Sequence, residues 1–191
     1  MRLRERFGRP LRLAVIGGGP DSWIGQMHRG AAEFDGWWRV VAGVFSSDAE
    51  RSRAAGALLG IDDPARSYGS VAEMLQAEAR RADRVDAVAI MTPNDTHYAY
   101  AAAALDAGLD VVCDKPVTQD HAQALDLVAR TRAAGRLFAV AHGYSAYPMT
   151  RHARQLVQGG AIGAVRLVQV EYIQSGLATR LEDGPLNSRL R

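Results

Sequence analysis

A glycine-rich stretch, residues 17–25, lies between a short apolar run and an amphipathic stretch of the sequence. Glycines at the end of a strand let the backbone approach a pyrophosphate, and the first N–H groups of the following helix favour an anion. Gly17 would make the tight turn and Gly19 the close approach. The third glycine of the usual pattern is displaced: either Ser22 replaces it as a small residue, or Gly25 fills it after a short insertion. The spacing predicts a dinucleotide-binding turn, and the alternative is a merely structural strand-to-helix turn.

Hydroxyl side chains stand where the second predicted strand ends, at Ser46 and Ser47. A site that prefers NAD usually carries an acidic residue here, which binds the ribose 2′-hydroxyl. Asp48 could reach this position, whereas Arg51 and Arg53 could equally hold the 2′-phosphate of NADP. In the alternative interpretation, Ser47 or Asp48 only caps the next helix. The sequence leaves both NAD and NADP open as the cofactor.

Lys115 is the single lysine among 23 basic residues, and it follows another predicted strand. The stretches 91–97 and 112–116 both lie at carboxyl ends of predicted strands, where ligands bind in open parallel sheets. We expect them to face one crevice. Hydride transfer leaves charge on a substrate oxygen, and a fixed ammonium stabilises that charge. Lys115 is therefore the candidate catalytic residue, and the alternative is an incidental surface lysine.

Short apolar runs alternate with amphipathic stretches, as in parallel strands joined by crossover helices. This alternation predicts an α/β fold with one doubly wound parallel sheet of the Rossmann type and helices on both faces. The predicted strands are residues 11–16, 38–45, 87–91, 111–113 and 137–141. The predicted helices are residues 24–34, 48–59, 70–81, 95–107 and 119–134. The ranges 48–59 and 70–81 include their predicted capping residues, Asp48 and Ser70.

Three segments are predicted: a basic tail over residues 1–10, a dinucleotide-binding domain over 11–145, and the start of a truncated second α/β domain over 146–191. The last segment begins with a predicted helix, residues 148–158, and continues with a predicted strand, residues 165–172. That strand has apolar residues on both faces and no partner elsewhere in the sequence. Because unpaired edges recruit other chains, we expect a homo-oligomer formed through the second-domain sheet.

The charge balance of 23 basic against 21 acidic residues argues against a nucleic-acid or membrane-surface partner. Cys113 is the only cysteine, so it cannot form an internal disulfide, and no paired spacing predicts a metal site. A reducing compartment, the cytoplasm, is therefore expected. No stretch approaches the ~18 apolar residues that a membrane span requires.

Three motifs together resemble a known family: the glycine-rich turn, Thr92-Pro93-Asn94 with His97 after it, and Asp114-Lys115-Pro116. They are similar to the N-terminal half of the Gfo/Idh/MocA oxidoreductases, the family of glucose–fructose oxidoreductase and inositol dehydrogenase. The resemblance covers about residues 11–175, with Asp114 in place of the usual Glu. It implies hydride transfer, with NAD or NADP, to or from a hydroxyl or carbonyl of a sugar, inositol or related polyol.

By this resemblance, Lys115 hydrogen-bonds the reacting oxygen and the nicotinamide ribose. His142 and Tyr144 are candidate substrate contacts, because they follow the last predicted strand and would open onto the same crevice; a structural role is the alternative for His142. The residues implied to bind the cofactor are Thr92, Pro93, Asn94, His97, Asp114, Lys115 and Pro116.

The family also uses a second domain whose Asp and His act with the lysine, and no histidine follows His152. The chain as given is therefore expected to bind nucleotide and to be catalytically incomplete. A nucleotide-binding module without catalysis of its own is the alternative to an enzyme.

Overall fold

The computed structural model describes residues 7–173 of the 191-residue chain. The chain divides after Val140 into two compact units. The first unit holds the sheet and its flanking helices. The described part of the second unit holds a short 3-10 helix (Gly143–Ala146) and one α-helix, followed by chain without regular secondary structure.

The first unit is built on five parallel strands, which confirms the predicted doubly wound α/β fold. Each predicted strand boundary in this unit lies within one residue of the observed one. The strands are β1 (Leu11–Gly17), β2 (Trp38–Val44), β3 (Ala87–Met91), β4 (Asp110–Cys113) and β5 (Phe138–Val140). Their order in the sheet is β2-β1-β3-β4-β5, so β2 is added on one side of β1 and the later strands are added on the other side, beginning with β3.

At the outer edge of β2, the described part of the chain forms a single β-bridge and not a sixth strand. Gly43 forms a single parallel bridge with Ser67, and the N–H of Tyr68 donates to the carbonyl of Gly43 at 2.9 Å. The buried hydroxyl of Ser52 continues this pairing, since it accepts from the N–H of Phe45 at 2.9 Å and donates to the carbonyl of Tyr68 at 2.5 Å. The Ser52 side chain thus makes hydrogen bonds to Phe45 and Tyr68 where the backbone of an outer strand could otherwise bond.

Five helices connect the strands, and side-chain caps mark the starts of four of them. Asp48, Ser70 and Asp120 each accept a hydrogen bond from the N–H three residues further on, which satisfies one of the free donors of a helix start. Asp48 rather than Ser47 is therefore the cap of the second helix. The helices are α1 (Trp23–Glu33), α2 (Ala49–Leu58), α3 (Val71–Ala79), α4 (His97–Asp106) and α5 (His121–Ala134).

The two faces of the sheet carry separate apolar clusters. On one face Val15 packs with Ala55 of α2 and with residues of α1. On the other face Ile90 packs with Met74 of α3 and with residues of α4 and α5. Burying each large apolar side chain stabilises the fold by roughly 1.5–3 kcal/mol. β3 is buried at every residue and forms the centre of both clusters.

A buried ionic network joins α3 to the loops around it. Arg66 and Glu78 form a salt bridge of 2.7 Å, and their side chains are only 5% and 2% exposed. Glu78 also accepts from the hydroxyl of Tyr68 at 2.8 Å and from the N–H of Val85 at 3.0 Å. Its carboxylate is therefore fully engaged in an environment where an unpaired charge would be costly.

The second unit contains the predicted helix, α6 (Pro148–Gln158), whose residues are all exposed. The strand predicted over residues 165–172 is not formed: residues 165–173 have no regular secondary structure. A strand needs the backbone bonds of a neighbour, and nothing between residues 7 and 173 pairs with this segment. Without a partner strand, these alternating apolar residues form no strand and stay exposed.

Candidate functional site

The carboxyl ends of the central strands lie side by side at one edge of the sheet. Gly17 at the end of β1 is in register with Met91 at the end of β3, and Ile90 is in register with Cys113 at the end of β4. The strand order reverses between β1 and β3, which is where open α/β sheets bind their ligands. The loops that follow these strands therefore lie along one edge of the sheet, where the sequence predicts a crevice.

The glycine-rich turn follows β1 and leaves no room for side chains at its key positions. Gly17 has φ of +88°, and a Cβ on it would lie 2.9 Å from the carbonyl oxygen of Met91. A Cβ on Gly19 would lie 2.7 Å from the carbonyl oxygen of Phe45. A larger residue at Gly19 would therefore displace the backbone of β2 as well as any ligand. The turn needs glycine for its own geometry.

The structure separates the two candidates for the third glycine. Ser22 caps α1, because its Oγ accepts from the N–H of Gly25 at 3.1 Å. Gly25 provides the close packing of helix on strand, since a Cβ there would lie 2.6 Å from the Cα of Gly18. Arg29, which the sequence did not single out, donates to the carbonyl of Gly18 from the next turn of α1.

After β2, the chain presents serine hydroxyls and the Arg51 guanidinium, which has no ion-pair partner among the described residues. Ser46 Oγ accepts from the N–H of Asp48 at 3.1 Å, and the Asp48 carboxylate accepts from the N–H of Arg51 at 2.8 Å. Asp48 is thus occupied as a helix cap. Arg53 is bound to Glu73 at 2.9 Å, whereas the exposed Arg51 side chain makes no ion pair within the described part of the chain. Ser47 is exposed beside it.

The loop after β3 is braced internally and presents two side chains. The hydroxyl of Thr96 lies 2.7 Å from the hydroxyl of Thr92 and 2.7 Å from the carbonyl of Pro93. Pro93 is exposed and Asn94 is half-buried, and the Asn94 amide makes no hydrogen bond to any residue that the structure describes. Asn94 is therefore able to donate to, and accept from, a bound molecule.

His97 does not line the crevice, contrary to its implied place beside the nicotinamide. The residue is 1% exposed. Its Nδ1 lies 2.7 Å from the carbonyl oxygen of Pro116, and its Nε2 lies 2.9 Å from the carbonyl oxygen of Thr92. The ring has no nitrogen left for a ligand. Because His97 comes three residues after Asn94, it lies in the first turn of α4 and not in the loop.

Lys115 follows β4, the strand next to β3. The N–H of Asp114 donates to the carbonyl of Ile90 at 2.8 Å, and the Asp114 carboxylate accepts from the N–H of Lys115 at 2.9 Å. The bond between Lys115 and Pro116 is cis, and both residues are exposed. The Lys115 ammonium makes no ion pair or hydrogen bond within residues 7–173. Its charge is therefore free for a ligand.

Two titratable groups next to this loop are shifted by burial. Burial, and then the negative charge of Asp114, raise the pKa of the Cys113 thiol to about 12. Burial lowers the pKa of His28, and the charge of Asp114 partly offsets this effect. His28, which lies in α1, lines a cavity of about 270 Å³ together with Val112. Cys113 thus behaves as a buried apolar residue, as its sequence position suggests.

The two candidate substrate contacts, His142 and Tyr144, belong to the second unit and are exposed. The carbonyl of His142 accepts from the N–H of Ser145 at 3.1 Å, and the Tyr144 hydroxyl lies 2.8 Å from that of Tyr172. Contact of either residue with substrate stays a prediction.

Within residues 7–173, no group of three His, Cys, Asp or Glu side chains is arranged to hold a metal ion. No helix in the same range is long and apolar enough to cross a membrane.

Comparison with known proteins adds a family and several relatives. The model of an oxidoreductase family with an NAD-binding Rossmann fold, Gfo/Idh/MocA, matches residues 11–142. The uncharacterized oxidoreductase YfiI of Bacillus subtilis is 37% identical over 174 residues, which are 91% of this chain and 44% of that protein. The inositol 2-dehydrogenase of Leifsonia xyli is 38% identical over 120 residues, which are 60% of this chain and 30% of that enzyme.

A solved structure shows the same fold. It is an inositol dehydrogenase homolog from Azotobacter vinelandii complexed with NADH and myo-inositol. Its sequence identity to this chain is 40% and its TM-score is 0.81, over 84% of this chain and 42% of that one. The chain spans less than half the length of these relatives.

Proposed function

Because the chain belongs to the Gfo/Idh/MocA oxidoreductases with an NAD-binding Rossmann fold, we propose that it is the nucleotide-binding part of a dehydrogenase. The reaction is hydride transfer, with NAD or NADP, to or from a hydroxyl or carbonyl of a sugar, inositol or related polyol. The observation that carries this proposal is that a glycine-rich turn and an unpaired lysine lie at the same edge of the sheet, at the ends of two strands that flank β3. The relatives named as inositol dehydrogenases support the substrate class.

The residues at the crevice fit a dinucleotide. Gly17 and Gly19 leave a bare backbone surface at the start of α1, whose N–H groups suit a pyrophosphate. Ser46, Ser47 and Arg51 would hold the adenosine ribose, at the end of β2.

The nicotinamide side would be formed by the loops after β3 and β4. Thr92, Pro93 and Asn94 supply one wall, and Asn94 offers the amide that could bind the carboxamide of the ring. Asp114 and Pro116 flank Lys115 on the other wall. His97 stands behind these walls rather than in them, because its two nitrogens bond to their carbonyls.

Lys115 would act on the reacting oxygen. When bound, the nicotinamide accepts or donates the hydride. As a hydroxyl loses its proton and its carbon loses hydride, negative charge develops on the oxygen, and the Lys115 ammonium stabilises that charge. A lysine suits this role since its compact charge can also exchange a proton, which a guanidinium does not do at neutral pH.

The same site supports a second candidate function, a module that binds nucleotide without turnover. The Lys115 ammonium has no carboxylate or imidazole partner among the residues that the structure describes. A substrate hydroxyl would therefore have no second group to take its proton. Binding without turnover separates this candidate from the enzyme.

A titration followed by a turnover assay tests the proposal. The purified chain is titrated with NADH and NADPH, with bound nucleotide followed by fluorescence, and then assayed with a panel of inositols and aldoses by nicotinamide absorbance. Lys115→Ala should keep the affinity for nucleotide within about tenfold and abolish any turnover, while Lys115→Arg serves as the charge-preserving control. Failure of the parent chain to bind either nucleotide contradicts the proposal.

We extend the proposal to the setting of the protein. The single cysteine, Cys113, is buried and unpaired, which suits a reducing compartment such as the cytoplasm. The exposed apolar residues of the segment 165–173 support association between copies of the chain.

A further inference from the structure

His97 is a buried side chain that touches both loops of the candidate site. Its two ring nitrogens reach the carbonyl of Thr92, in the loop after β3, and the carbonyl of Pro116, in the loop after β4. These loops carry Asn94 and Lys115, the residues proposed to meet the nicotinamide and the reacting oxygen. The buried ring therefore joins the two neighbouring loops.

The two loops differ in how much they depend on this ring. The loop after β3 has a second brace, the Thr96 hydroxyl. In the loop after β4, the N–H of Lys115 bonds only to its neighbour Asp114, and Pro116 has no N–H. Within the described residues, the bond between His97 Nδ1 and the Pro116 carbonyl is the one hydrogen bond that ties residues 115–117 to another element.

The chemistry of the ring matches a bridging role. A carbonyl oxygen only accepts hydrogen bonds, so each contact requires an N–H of the imidazole. The neutral ring donates to one carbonyl, and the charged ring donates to both. The Nδ1–H bond to the Pro116 carbonyl therefore favours the observed position of the loop after β4.

We propose that His97 is a positioning residue for Lys115. Its Nδ1–H holds the Pro116 carbonyl and so fixes where the Lys115 ammonium stands, while Nε2 lies against the Thr92 carbonyl of the neighbouring loop. The inference rests on the proposed function, because it presumes that nucleotide binds between these loops. His97 itself touches neither nucleotide nor substrate.

Two conservative variants separate the two contacts. In His97→Asn, the amide nitrogen takes roughly the place of Nδ1 and keeps the bond to Pro116. In His97→Gln, the amide nitrogen takes roughly the place of Nε2 and keeps the bond to Thr92. Each variant keeps one of the two ring contacts and loses the other, and thermal unfolding shows whether both variants remain folded. A structural role unrelated to Lys115 would leave the protection of Lys115 by NADH equal in the two variants.

The single lysine gives a direct readout of loop position. Acetylation of Lys115 by an amine-reactive ester is followed by mass spectrometry of its peptide, with and without saturating NADH. In the parent chain, bound NADH should slow acetylation by about tenfold or more, since the ammonium faces the nucleotide. His97→Asn should retain this protection. His97→Gln should bind NADH within about tenfold of the parent and show at most about twofold protection.

Each outcome decides the proposal. Full protection of Lys115 in a folded His97→Gln variant that binds NADH overturns it. If that variant does not fold, the Asn variant decides alone: retained protection supports the role, and lost protection in a folded variant that binds NADH overturns it. A parent chain that binds neither NADH nor NADPH contradicts the proposed function itself, and the inference falls with it. The titration reveals that result before any variant is compared.

Discussion

In the first unit β3 is buried at every residue, whereas every residue of the segment 165–173 in the second unit is exposed. Both stretches are rich in branched apolar side chains. Ile90 is 0% exposed, but Leu167 and Val170 are 82% and 81% exposed. β3 has a paired strand on each side, and the segment 165–173 has none among the described residues.

The contrast shows that apolar content alone does not make a strand. Backbone N–H and C=O groups must be bonded before the side chains around them can leave water. β1 and β4 supply those bonds to β3, and the helices then cover its faces. Without such neighbours, the segment 165–173 keeps its backbone solvated and its side chains exposed. Four measurements test this contrast between buried and exposed parts of the chain.

The largest expected effect concerns the reactivity of Cys113. Its pKa of about 12 lies some three units above that of a free thiol, so at pH 8 its thiolate fraction is lower by roughly a thousandfold. Because the thiolate is the reactive form, reactivity should stay low until the pH approaches 12. Iodoacetamide labelling at pH 8, followed by mass spectrometry, should be at least a hundredfold slower in the native chain than in guanidinium chloride. Equal rates would mean that the end of β4 is open to solvent.

The second effect concerns the buried ionic network. Glu78→Ala removes the buried carboxylate partner of Arg66, which keeps only the longer ion pair of 3.2 Å with the more exposed Asp83, and should destabilise the first unit by about 3 kcal/mol. Asp62→Ala is the matched control, because it removes the exposed partner of Arg39 and should cost less than about 1 kcal/mol. Denaturant unfolding measures both changes. Similar losses in the two variants would contradict the distinction between buried and exposed pairs.

The third effect concerns Arg51, an exposed residue of the first unit whose charge has no ion-pair partner among the described residues. Arg51→Ala should weaken NADPH binding by about tenfold and change NADH binding by less than about twofold, since only NADPH carries the 2′-phosphate. Arg53→Ala is the control, because Arg53 is already bound to Glu73. Fluorescence titrations measure the four affinities. An equal loss for both nucleotides would remove Arg51 from the ribose site.

The smallest effect on stability is expected in the second unit. The double substitution Leu167→Lys and Val170→Lys should change the free energy of unfolding by no more than about 0.5 kcal/mol, because both side chains already face water. It should reduce self-association, which sedimentation velocity measures over a range of concentrations. A loss of stability above about 1 kcal/mol would show that the segment is packed.

Local patterns were sufficient to predict most of the first unit. The alternation of apolar runs placed all five strands, and the position of Ser70 marked the start of its helix because the cap is a local interaction. The crevice followed from strand order, since parallel strands place their carboxyl ends together. Lys115 stood out by its residue type alone.

The remaining features depend on contacts between distant parts of the chain. The close approach of Gly25 to Gly18 and the bond between His97 and the carbonyl of Pro116 involve backbone atoms, which carry no residue-type signal. The pairing of Arg66 with Glu78 joins a loop to a helix across a sheet edge. For the segment 165–173, the side-chain pattern predicted a strand, but strand formation depends on a partner.

The single bridge between Gly43 and Ser67 makes the two margins of the sheet unequal. A strand from another molecule could join a sheet only where a row of backbone donors and acceptors is unsatisfied. At the carboxyl end of the β2 edge, the N–H of Tyr68 already bonds to Gly43 and the Ser52 hydroxyl to Phe45. Within the first unit, β5 has one paired neighbour and is only three residues long. Growth of this sheet by strand addition is therefore obstructed at the carboxyl end of β2 and confined to a short stretch beside β5.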